Sequence, residues 1–188
     1  MSLSRSQQRE LLALARQSIQ EGLAQGRRMP CPAIPADAIP PVLRSTFVTL
    51  LIDGELRGCC GTLNAQWPLA EDVWNNAWAS AFADPRFAPL TPAEYPRIDL
   101  QISVLSEPEP MQVADEADLL RQLRPRVDGL VLEMGAARAT FLPVVWEQLP
   151  DPAQFVRQLK LKAGWTPDFW STGIEVSRYA TESFSEDS

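Results

Sequence analysis

The chain has cysteines at 31, 59 and 60 and no histidine. Without histidine there is no Ser-His-Asp triad and no Cys-His dyad, and the commonest ligand of zinc, copper and non-haem iron is missing. Any chemistry must use Cys, carboxylates, Arg, Lys, Tyr or backbone amides. One stretch concentrates such groups: Leu56-Arg57-Gly58-Cys59-Cys60-Gly61. On a strand, Arg57 and Cys59 share a face and Cys60 points the other way. A guanidinium near a thiol favours thiolate, the nucleophilic form. Cys59 is therefore the candidate nucleophile and Arg57 its electrostatic partner. The alternative is that both cysteines are small buried hydrophobes, the role assigned to Cys60. Gly58 and Gly61 stand where a strand wants packing side chains, which marks a bulge or a close approach of backbone to something else. They are candidate binding positions for a ligand.

Three charged residues join this list. Asp84 and Arg86, in Asp84-Pro85-Arg86-Phe87, either line a pocket or make a structural salt bridge or helix cap. Lys162 either contacts substrate and moves a proton or, with Lys160, complements a helix C-terminus. Cys31, between Pro30 and Pro32, is read as incidental.

The elements that must position these groups are legible. Asp53-Gly54 between two apolar runs predicts a hairpin over 47–63. Ser4 and Gln7 form a capping box for a helix over 4–26, with a stripe of Leu11, Leu12, Ala15, Ile19 and Leu23. Five prolines between 30 and 41 make an extended connector. Pro68 opens a helix running to 83, and Thr91-Pro92-Ala93-Glu94 repeats cap chemistry. Residues 98–104 alternate as a half-buried strand, and 115–123 read as a short amphipathic helix. A second hairpin over 129–142 precedes a helix over 151–163, so hairpin-then-helix occurs twice. A last strand at 174–179 precedes an acidic tail that is expected to fray.

Composition excludes several classes. A net charge of −7 with no basic run argues against nucleic-acid binding. No apolar run of about 18 residues exists to span a membrane, and the start lacks a signal sequence, so a cytoplasmic location is expected. There is no CxxC, GxGxxG or GxxxxGK[ST], so no metal site and no cofactor is called for. The 15 Arg against 2 Lys suggest a GC-rich bacterial genome.

The quoted residues resemble the AMMECR domain family, whose bacterial members are the A proteins of the AmmeMemoRadiSam system. The resemblance runs over about 41–184. Its most specific piece is Leu56-Arg57-Gly58-Cys59-Cys60-Gly61, where the family usually has Ile in place of Cys60. Asp84-Pro85-Arg86-Phe87, Asp128-Gly129-Leu130, Thr140-Phe141-Leu142-Pro143, Lys162-Ala163-Gly164 and Arg178-Tyr179 complete the series. The resemblance implies an α+β fold in which two structural repeats form a barrel-like mixed sheet flanked by helices. It implies one domain: helix and connector over 1–41, family core over 42–184 and a frayed end at 185–188. It also implies a setting shared with a Memo-like protein and a radical-SAM protein. Two functions follow. The first is an enzyme or enzyme subunit acting on a small molecule through the Arg-Gly-Cys segment. The alternative is a non-catalytic module that docks those partner proteins.

Overall fold

Asp53 and Gly54 both adopt positive φ, at 53° and 81°, and reverse the chain between β1 (Thr46–Ile52) and β2 (Glu55–Gly61). Glycine takes that conformation at no steric cost, which is why the pair turns a hairpin. This hairpin lies in the first of two compact units in a computed structural model that describes residues 2–186. The first unit runs through Leu105 and resumes at Glu182; the second is Ser106–Thr181.

In the first unit, α1 (Arg5–Gln25) begins at the capping box. Ser4 Oγ accepts from the Gln7 N–H, and the Gln7 side chain accepts from the Ser4 N–H. After the connector come β1, β2, α2 (Leu69–Phe82) and β3 (Ile98–Leu105). The sheet order is β2-β1-β3-β8, where β8 is Thr181–Ser185. Val48 and Leu50 of β1, Leu100 and Ile102 of β3, Leu11 and Ile19 of α1, and Trp74 and Ala77 of α2 share one core. The inward face of the sheet is thus covered by the two amphipathic helices.

Asp72 in the first turn of α2 is buried, and its carboxylate accepts from the N–H and Oγ1 of Thr46, from Asn76 Nδ2 and from Thr62 Oγ1. These bonds fix the helix to the start of the hairpin, and burial raises the acid's pKa in spite of them.

The second unit repeats the order. α3 (Glu116–Gln122) leads to the hairpin β5 (Gly129–Met134) and β6 (Ala137–Phe141), then to α4 (Pro152–Lys162) and β7 (Glu175–Tyr179). Its sheet order is β4-β7-β5-β6, with β4 the short Glu109–Pro110. Trp146 stacks on Phe155, centroids 3.8 Å apart, at the centre of its core. Lys160, fully buried, meets both carboxylate oxygens of Glu116 at 2.8 Å, so it does more than complement a helix end.

Each unit therefore runs helix, hairpin, helix, strand, and in each the third strand pairs with the first strand of the hairpin. Two expectations change. The sheet is not a barrel-like mixed one: there are two open four-stranded antiparallel sheets, because each unit buries its sheet under its own helices. The end of the chain is also not frayed through 185–186. β8 forms, Glu182 accepts from Leu3 N–H and Gln8 Nε2, and Glu186 pairs with Arg16. The remaining residues, 187 and 188, lie outside the described ones.

Candidate functional site

The β1–β2 ladder pairs Thr49 with Cys59 and Leu50 with Gly58, then shifts so that Leu51 faces Leu56. Arg57 is thus the extra residue of a β-bulge. A bulge bends an edge strand and re-aims a side chain, and it breaks the strict alternation that would align Arg57 with Cys59. The Arg57 guanidinium turns to Glu94: Nε meets Oε1 at 2.9 Å and Nη2 meets Oε2 at 3.2 Å. Nη2 also donates to the Ala88 carbonyl. Nη1 is buried with no acceptor among the described residues, and the Phe87 ring lies 5.8 Å from Cζ.

Glu94 is a site residue that the sequence reading missed as a partner of Arg57. Its signal was present in Thr91-Pro92-Ala93-Glu94, because Glu94 also accepts from the N–H and Oγ1 of Thr91. The motif forms a loop bracket followed by a three-residue turn, Tyr95–Arg97, rather than a long helix.

Cys59 is half-buried and stands opposite Thr49, whose hydroxyl donates to the sulfur at 3.3 Å. Its backbone N–H, on the outer edge of the sheet, donates to Asp84 Oδ2 at 2.9 Å. Asp84 is buried and holds Arg86 through its guanidinium and its backbone N–H. Arg86 leaves about half of its side chain in solvent, and its charge interacts with both thiols. The cation coupled electrostatically to the cysteines is therefore Arg86, whereas Arg57 is neutralised by Glu94. Cys60 pairs across from the buried Val48, and burial pushes its thiol pKa up.

The two glycines correct an expectation. A Cβ on Gly58 would lie well under 3.0 Å from the Ser80 carbonyl oxygen of α2, and one on Gly61 would meet the Phe47 ring and the Thr46 carbonyl. The space they clear is occupied by the protein itself, so neither admits a ligand. Ser80 exploits this approach: its Oγ accepts from the Cys60 N–H and lies 2.7 Å from the Val48 carbonyl, splicing helix α2 into the hairpin ladder. Lys162 belongs to the second unit. There it donates to the Thr140 carbonyl at 2.9 Å, lies over the Phe141 ring, and has its pKa lowered by burial.

The carboxylates of the site carry a pH signature. Asp84 is held far below the usual range, first by the Arg86 hydrogen bond and then by the Cys59 and Arg86 N–H donors, against burial. Glu94 is pulled down to about 2, first by Arg57 and then by Thr91. Both folded values lie below the unfolded ones. Their stabilisation is complete above about pH 4.5 and lost as pH falls through the folded values. Asp72, raised, acts in the opposite sense. The urea midpoint is expected to fall between about pH 5 and pH 2, and to fall less steeply in Glu94→Gln. Equal slopes for the two proteins would show that Glu94 is not coupled to folding.

Fold and site together define a two-sheet α+β protein with a thiol-bearing, bulged edge strand gripped by an Asp–Arg loop. The chain belongs to the AMMECR1 family, whose sequence model matches residues 12–184. The match begins within α1 and so reaches further toward the N-terminus than the resemblance over about 41–184. A protein of Methanothermobacter thermautotrophicus is 38% identical over 190 residues, covering 98% of this chain and 97% of the relative. A protein of Thermofilum pendens is 37% identical, covering 94% and 88%. The crystal structure of uncharacterized protein PH0010 from Pyrococcus horikoshii superposes with a TM-score of 0.83 at 31% identity, covering 95% of this chain and 90% of that one. These relatives are archaeal, so the bacterial origin read from the arginine bias finds no support in them. No helix among the described residues is long and apolar enough to cross a membrane. No group of three or more His, Cys, Asp or Glu among those residues is arranged to hold a metal ion.

Proposed function

We propose that this AMMECR1-family protein is an enzyme, or a subunit of one, that acts on a small molecule through Cys59. The observation that carries the reading is the setting of the sulfur: half-buried, with a threonine hydroxyl donating to it and its own backbone N–H pinned by Asp84. Arg86 is the cation beside this strand, its Nη2 donating to the Cys59 carbonyl at 3.4 Å. In this reading Cys59 is the nucleophile, Arg86 contacts an anionic group of the substrate, and Arg57 and Asp84 are positioning residues. The resemblance to the bacterial AmmeMemoRadiSam A proteins points to a pathway shared with Memo-like and radical-SAM proteins.

Iodoacetamide labelling with peptide mapping tests the reading. Cys59 is expected to alkylate before Cys60, whose thiol pKa is raised, and before Cys31, whose pKa burial pushes to about 11. Thr49→Val should slow Cys59 alone. Equal rates for the three thiols, or a Cys59→Ser variant that sustains the pathway fully, would remove the idea.

One observation favours a second reading. The charged groups around Cys59 already satisfy one another, as Arg57–Glu94 and Asp84–Arg86. A docking module needs no free catalytic base, so the chain would bind the Memo-like or radical-SAM protein without chemistry of its own. Co-purification at micromolar concentration, undisturbed by Cys59→Ser, is the outcome that selects it.

A further inference from the structure

The first unit carries a concave feature that shares no residue with the Cys59 site. A cavity of about 570 Å³ lies between the proline-rich connector and the first turns of α2. That volume falls within the range of roughly 300–1,000 Å³ typical of small-molecule sites. Pro32, Ile34 and Ile39 of the connector are among the residues that make its wall apolar. Trp67, 46% exposed, lies on the same lining. An indole left half in solvent beside a cavity offers a flat apolar face to a ring.

Two of the polar groups on this lining are cations. Arg27 and Arg28 both line the cavity, and neither has a carboxylate partner or a side-chain hydrogen bond among the described residues. Arg16, Arg57 and Arg86 of the same unit all pair with carboxylates. Two adjacent unpaired guanidiniums are a fork for carboxylate or phosphate oxygens. The N-cap of helix α2 is Pro68, which has no side-chain acceptor, and its first turn supplies Ala70 and Glu71 to the lining. Glu71 on the lining and Asp72, buried in the same helix turn and bonded to Thr46, Thr62 and Asn76, oppose an anion, so the attraction rests on the two guanidiniums. Cys31, with its thiol pKa raised to about 11 by burial and by Glu71, is neutral there.

We propose that this cavity binds a planar organic anion: an aromatic or heteroaromatic ring against Trp67 and the connector wall, with its carboxylate or phosphate held by Arg27 and Arg28. The site is independent of Cys59 and stands whether or not the thiol is catalytic.

Calorimetric titration of the whole protein at low salt tests it, because exposed guanidiniums are screened by ions. The probes are 1-naphthoate and 5′-AMP, each against its uncharged counterpart, 1-naphthalenemethanol and adenosine. At least one anion should bind one-to-one with a Kd of about 1 mM or tighter, and its neutral counterpart about tenfold more weakly. Naphthoate alone would indicate a carboxylate ligand, and AMP alone a phosphate; either supports the site. Arg27→Ala/Arg28→Ala and Trp67→Ala should each weaken binding about tenfold. Cys59→Ser should leave it unchanged. Arg27 and Arg28 are exposed, so an unaltered melting temperature will show that the double variant folds. Failure of both anions to bind, equal binding of a neutral counterpart, or full affinity in the double variant would overturn the proposal. Preference for the neutral probes would instead mark an apolar docking groove and overturn it equally.

Discussion

Gly58→Ala is expected to remove about 3 kcal/mol of stability, the upper end of the usual cost of overpacking a core. The added methyl group has no rotamer to escape into. It points at the Ser80 carbonyl, which is backbone in the last turn of α2. Either the helix moves off the sheet or the edge strand moves off β1. The first movement strains the Ser80 Oγ contacts to the Cys60 N–H and Val48 carbonyl, and the second breaks the ladder beside the bulge. Urea denaturation followed by circular dichroism measures the effect. A change within about 0.5 kcal/mol, the range of neutral surface substitutions, would show that α2 does not press on β2 as described.

Asp84→Ala should cost a similar amount, about 2–3 kcal/mol. The change orphans the Cys59 N–H, the Arg86 N–H and the Arg86 guanidinium together. Removing one member of a buried ion pair costs about 3–5 kcal/mol, but here Arg86 is half in solvent and water compensates in part. The loss should be accompanied by faster hydrogen exchange at the Cys59 amide, because the carboxylate is that group's acceptor. Asp84→Asn keeps a side-chain oxygen and should recover part of the stability while losing the acid dependence. A variant as stable as the parent, with a protected Cys59 amide, would contradict the assigned geometry.

The hairpins and helices were readable because local chemistry and global packing agree there. Asp53-Gly54, the Ser4–Gln7 box and the stripes of α1 and α2 each act within a few residues. β4 and β8 were not readable, because Glu109–Pro110 and 181–185 are strands only by virtue of the partners they meet. The former carries a proline and the latter is mostly polar, with Glu182, Ser183 and Ser185 around one Phe, so propensity argued against both.

At the site, residue types pointed to Cys59, Arg57, Asp84 and Arg86, but not to how they pair. Parity along a strand assigned Arg57 to the thiol. A one-residue bulge, invisible in composition, assigned it to Glu94 and left Arg86 as the cation for the sulfur. Likewise, glycine spacing signals close approach without saying of what, and the answer was the protein's own helix and ring.

The strand that completes the first sheet is the last to be made. β3 is pairable on its outer edge as soon as it is synthesised, yet β8 follows only after the whole of Ser106–Thr181. At ribosomal speeds of about 5–20 residues per second, that edge waits on the order of ten seconds for its partner. A nascent chain in this condition offers open backbone donors and acceptors to any other strand nearby. Stalling the ribosome before residue 181 should therefore yield a species prone to aggregation, and adding the missing segment as a free peptide should rescue it.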